Sequence, residues 1–199
     1  MFSQGTKSVT IGIPKALKLV GIIGGVWGTL VIVAAILAYL PEHPDFSIFT
    51  IYLSDIGDTP GWPQIFFNSG TLIAVPIRYL VLILLALRLN QLGADRAFLI
   101  AALIIGFVST SGTALMTATP FSVAPIVHKT GIGLYFLGVV ALQSLIFFKE
   151  WSLKNVPKIL PILSAAMVML YFVFTTLIML FEQGVVNRTT PVIWEWLAI

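Results

Sequence analysis

Six polar side chains stand where a largely apolar chain has least use for them: Asp55, Asn68, Arg78, His128, Lys129 and Glu182. His128 and Lys129 come together at the start of one apolar stretch, and Tyr135 follows seven residues after His128 on the same helical face. Asp55 precedes a second apolar stretch and Glu182 ends a third, so topology can bring all three titratable groups to one membrane face. An imidazole and carboxylates at a wet helix mouth are the ingredients of an acid–base or head-group site. Asn68, Thr71, Val75 and Arg78 follow one another along one face of a helix, and Pro76 on that helix frees the carbonyl of Leu72. A kinked helix bearing an arginine can form a pocket wall; the alternative is that Arg78 snorkels or pairs with a loop carboxylate and serves the fold. The six residues are expected to line a ligand pocket, with Asp55 and His128 in one cluster. None is assigned a catalytic role.

The rest of the composition narrows the chemistry. There are no cysteines, which removes disulfides, thiolate zinc sites, iron–sulfur clusters and cysteine nucleophiles. With only His43 and His128, a metal site would have to be completed by carboxylates, and no metal or cofactor is expected. No nucleophile elbow, zinc-binding helix motif, phosphate loop or dinucleotide fingerprint is present, and Ser54 beside Asp55 does not make a triad. A net charge of +3 arises from cations scattered between apolar runs, with no basic stripe interleaved with aromatics, so no nucleic-acid partner is expected.

The elements that must carry these residues are membrane helices. Of the 199 residues 58% are hydrophobic and 10% charged, against roughly 25% charged in a soluble domain, and the mean hydropathy is +1.02. Apolar segments at 16–40, 65–89, 98–117, 124–148 and 159–181 are each long enough for a hydrocarbon core about 30 Å thick. The last stretch, 191–199, covers only about 14 Å at helical rise and reads as the first half of a sixth span or an interfacial stub. The predicted fold is all-α: a single polytopic bundle over 1–199, five complete spans plus a partial sixth, with a structured external loop at 41–64. That loop is dense in turn formers, Asp-Ile-Gly-Asp-Thr-Pro-Gly-Trp-Pro. In the first span Gly21, Gly24, Gly25 and Gly28 make a small-residue seam for packing inside the bundle, or against partner membrane subunits through Gly21, Gly25 and Gly28. Ser109, Thr110, Ser111, Gly112 and Thr113 in span three read as a close-packing segment with hydroxyls bonded to carbonyls.

One tract ties the loop to a known group. Tyr52-Leu53-Ser54-Asp55-Ile56-Gly57-Asp58-Thr59-Pro60, followed by the helix start Phe67-Asn68-Ser69-Gly70, resembles six-span membrane proteins of the DRAM and Sfk-like type and their prokaryotic relatives. The shared pattern is an I/L-S-D-x-G motif before span two, a histidine opening span four and a Glu-Trp pair beginning span six; here these are Leu53 to Gly57, His128, and Glu195 with Trp196. The resemblance implies an integral, multi-pass membrane protein connected with lipid handling or membrane trafficking in eukaryotes, and it implies no settled enzyme activity. Beside a protein that binds membrane lipid or a small ligand, two alternatives stand: an accessory subunit of a larger membrane complex, and a membrane-embedded hydrolase or transferase, which the sparse histidines disfavour.

Orientation follows from charge. Lys7, Lys15, Lys18, Arg88, Arg96, Lys149, Lys154 and Lys158 fall on one side of the predicted spans and Arg188 alone between spans on the other, so the N-terminus is expected to be cytoplasmic. Asn187-Arg188-Thr189 also matches a glycosylation sequon on the external side. Asp58→Cys and Lys154→Cys should therefore label from opposite sides of sealed vesicles; labelling from the same side overturns the topology.

Overall fold

The computed structural model describes residues 12–198; Lys7, counted above for orientation, lies outside the described residues. Among the described residues seven helices follow in order: α1 (Ile13–Tyr39), α2 (Leu53–Asp58), α3 (Trp62–Gln91), α4 (Arg96–Ala118), α5 (Pro125–Ser152), α6 (Ile159–Glu182) and α7 (Thr189–Ala198). Among the described residues there is no strand. α1, α3, α4, α5 and α6 are long and apolar enough to cross a membrane. The ten described residues of α7 cover about 15 Å, about half the hydrocarbon thickness.

The boundaries have local causes. Prolines in the first turns of α1, α3 and α5 remove amides that would lack helical partners. Asp95 caps α4 by accepting from the Phe98 amide at 2.9 Å, and Lys149 at the end of α5 pairs with the same carboxylate. α3 and α6 end on glycines in the left-handed region, Gly93 at φ 95° and Gly184 at φ 74°. There the Ala94 and Val185 amides close back onto the carbonyls of Leu89 and Leu180. α3 starts earlier than the apolar run suggests and passes through one π-helical turn, Ile65–Ser69, before its regular part.

Each span packs on the next: α1 on α3, α3 on α4, α4 on α5, α5 on α6, and α7 folds back onto α6. The tightest crossing is α4 on α5. A Cβ on Gly112 would lie 2.6 Å from the Tyr135 amide nitrogen, and one on Gly131 would lie 2.5 Å from that of Met116. Ser109 Oγ donates to the Tyr135 carbonyl across the same seam at 2.9 Å, as its small polar type suggested. α1 meets α3 where Gly70 leaves room for Val31 and where Trp27 Nε1 donates to the Gly70 carbonyl at 2.8 Å. Of the α1 glycines, Gly24 faces Ile77 of α3, whereas Gly21, Gly25 and Gly28 face open space. Lying on the end of the bundle with α2 and α7, the buried side chains of Ala35, Tyr39, Leu53 and Ile56 pack together under Phe46 and Trp196. That end is called the α2 face below.

Candidate functional site

The predicted loop 41–64 holds a helix where its turn-forming residues suggested turns. Asp55, Ile56 and Gly57 lie inside α2, and a helix this short survives only if its end groups are satisfied. The Asp55 carboxylate reaches back to accept from the Tyr52 amide at 2.8 Å, and Glu195 of α7 accepts from the Leu53 amide at 2.7 Å. At the other end, Thr59 Oγ donates to the Asp55 carbonyl and Asn68 Nδ2 to the Gly57 carbonyl, both at 2.8 Å. Gly57 has no room for a side chain, since a Cβ would stand 2.6 Å from Phe67. Asp58 then accepts from both the amide and the hydroxyl of Ser122, fastening α2 to the turn between α4 and α5.

α7 closes this arrangement from the far end of the sequence. Arg188, just before α7, pairs with Asp55 and lies 5.2 Å over the Tyr52 ring, whose hydroxyl donates to the Arg188 carbonyl. Trp196 Nε1 donates to the Ile51 carbonyl at 2.9 Å. Glu195 is 8% exposed. Burial is the main cause that pushes its carboxyl up from 4.5 to about 8, and the nearby Asp55 charge adds to it, against the Leu53 and Ser54 amides and Arg188.

The six sequence-predicted residues therefore separate into four sets. Asp55 and Asn68 hold α2. His128 is buried beneath Phe121 and its Nδ1 lies 2.9 Å from the Thr119 carbonyl; an oxygen that only accepts makes Nδ1 the protonated nitrogen. The expected Asp55–His128 pair is not formed: the carboxylate is taken up by Arg188 and Tyr52, and the imidazole by Thr119. Lys129 and Glu182 do meet, as a half-exposed ion pair with the ammonium 5.7 Å over the Phe121 ring. Such a surface pair contributes at most about 1 kcal/mol. Arg78 lies apart, half-buried between spans, with Nη1 donating to Thr113 Oγ at 3.0 Å and its guanidinium 5.3 Å over the ring of Tyr135. The Tyr135 hydroxyl in turn faces that of Tyr171 at 3.4 Å.

The residues that carried the resemblance thus touch: the Leu53 amide of the loop motif bonds Glu195 of the Glu-Trp pair. A family profile described as Frag1/DRAM/Sfk1/Cwh43P N-terminal domain matches residues 16–199. The chain belongs to this family. It is an integral, multi-pass membrane protein, with five apolar helices to match. Comparison with curated proteins and with solved structures returns no match. In this Frag1-family chain the sequence pattern named Glu195 without its task, and passed over Glu150, a buried carboxylate of α5 that accepts from Ser164 of α6 at 2.9 Å. A charged residue two past the end of an apolar run, next to Lys149, carries no periodicity that would reveal a partner on the next helix.

The Glu195 junction titrates. Between about pH 4.5 and about pH 8 the folded protein holds a proton on Glu195 that the unfolded chain releases, so stability falls as pH rises through that window. Thermal unfolding followed from about pH 5 to about pH 8 should show a falling midpoint in the parent and a flatter profile in Glu195→Gln, which keeps an acceptor for the Leu53 amide. Equal slopes in both proteins would contradict the assignment.

Proposed function

We propose that this Frag1-family protein binds membrane lipid, and that an acyl chain lies in a groove between α4 and α5. The observation that carries the reading is the groove itself: about 330 Å³ between α4 and α5, lined by Ile104, Ile105, Val108, Gly133, Leu134, Leu137 and Gly138, all apolar. Its size falls at the lower end of ligand sites. A Cβ on Gly133 would meet nothing within 4 Å, so this glycine answers no packing need and leaves the groove unfilled. Lys129 stands one helical turn from Gly133 along α5, nearer the α2 face, and offers a lipid phosphate a cation held in place by Glu182. The family's implied link to lipid handling points the same way.

A second reading, an accessory subunit packed in a larger membrane complex, draws support from α1. Gly21, Gly25 and Gly28 face open space on the least buried of the spans, which suits a partner helix.

Gly133→Leu separates lipid binding from folding. Replacing a helical glycine by leucine favours the helix by roughly 0.8 kcal/mol, its Cβ meets no neighbour, and the rest of the side chain enters the apolar groove, so thermal stability should hold or rise. Phospholipid retained through purification, counted by native mass spectrometry, should fall sharply. Undiminished retention in Gly133→Leu, or none in the parent, overturns the groove as a lipid site.

A further inference from the structure

Among the described residues no anion pairs with Arg78. All eight acidic side chains of the chain lie within the described residues. Three pair with Lys129, Lys149 and Arg188, and Glu150, Glu195 and Asp58 accept from Ser164, the Leu53 amide and Ser122. None lies within ion-pair distance of Arg78. Of the five N–H groups of its guanidinium, one reaches the fully buried Thr113, and the others have no acceptor among the described residues. A charge at membrane depth is costly unless it is neutralised or reaches water.

Its surroundings are those of an oxyanion site. The guanidinium fork offers paired donors for the two oxygens of a carboxylate or phosphate. The Tyr135 ring lies under the guanidinium, and its hydroxyl faces that of Tyr171, so that one of the two can donate onward. Side chains on a helix lean toward its N-terminus, which for α3 is the α2 face, and Arg78 accordingly reaches Thr113. Thr113 is five residues short of Ala118, the end of α4, about 8 Å at helical rise. That depth belongs to the border between lipid head groups and chains, where the layer of head groups is roughly 5–8 Å thick.

We infer that Arg78, Thr113, Tyr135 and Tyr171 form a binding site for the oxyanion of a membrane amphiphile, a carboxylate or a phosphate that supplies the missing counter-charge. The site goes beyond the α4–α5 groove: its residues come from α3, α4, α5 and α6, with Thr113 of α4 accepting from Arg78 and so holding the guanidinium, and it recognises a head group, whereas the groove selects only a chain.

The protein is reconstituted in phosphatidylcholine nanodiscs alone and with added phosphatidic acid, oleate or diacylglycerol, and bound lipid and thermal midpoint are read. Phosphatidic acid or oleate should bind and raise the midpoint where neutral diacylglycerol does not; the more effective of the two identifies phosphate or carboxylate as the source. Arg78→Met should weaken that binding roughly tenfold or more, and Arg78→Lys, which keeps charge but loses the fork, should fall between. Gly133→Leu should leave the anionic preference intact, so failure of the groove and failure of this site read differently. Should Arg78→Met not fold, Tyr135→Phe keeps the ring under the guanidinium and removes one hydroxyl, and it should weaken binding several-fold. Equal binding of anionic and neutral amphiphiles by the parent, or unaltered anionic binding by Arg78→Met or Tyr135→Phe, overturns the site.

Discussion

The start of α2 sets the constraint on which the α2 face depends. Its first amides point into a region packed with Ala35, Tyr39, Ile56 and Trp196, away from free water, and each needs an acceptor. Glu195 fills that need from 142 residues away in sequence, as a buried carboxyl whose oxygen accepts from the Leu53 amide. A hydrogen bond to a neutral carboxyl contributes about 0.5–1.5 kcal/mol, and an abandoned buried amide costs about 1–3 kcal/mol, so losing the junction is large on the scale of net stability. With α2 fixed, Asp58 holds the turn between α4 and α5, Asn68 holds the start of α3, and Arg188 and Trp196 hold α7.

The same economy of carboxylates explains why a spanning helix carries an arginine that no described carboxylate balances. Acidic side chains near the α2 face are drawn into capping and surface pairing, where water and backbone amides lower the cost of their charge. Arg78, a turn and more below them, is left with a hydroxyl and an aromatic face. Lysine would satisfy neither the fork geometry nor the ring stacking as well. Cap and arginine are thus two sides of one distribution of charge along the bundle axis.

The spans were legible because an apolar run of twenty or so residues has one stable form in a bilayer. Helix α2 was not, since six residues show no periodicity and Gly57, Pro60 and Gly61 read as turn formers; what makes it helical arrives from α7. Topology correctly placed Asp55, His128, Lys129 and Glu182 toward one end and so allowed the Lys129–Glu182 pair, but depth says nothing about lateral position, and Asp55 finds Arg188 instead of His128. The small-residue pattern of α1 drew attention to Gly21, Gly25 and Gly28, whereas backbone approaches backbone most closely between α4 and α5, at Gly112 and Gly131. Spacing within one helix marks where contact is permitted. Which helix makes it is decided by the whole packing order.

Hydrogen exchange resolved along the chain tests the Glu195 junction most directly. In Glu195→Ala the amides of residues 52–58 should lose protection while those of α4 and α5 keep theirs, because only the cap has been removed and the glycine seam is untouched. Protection across 52–58 equal to that of the parent would contradict the account, since α2 would then stand without the carboxylate on which its fold is argued to depend.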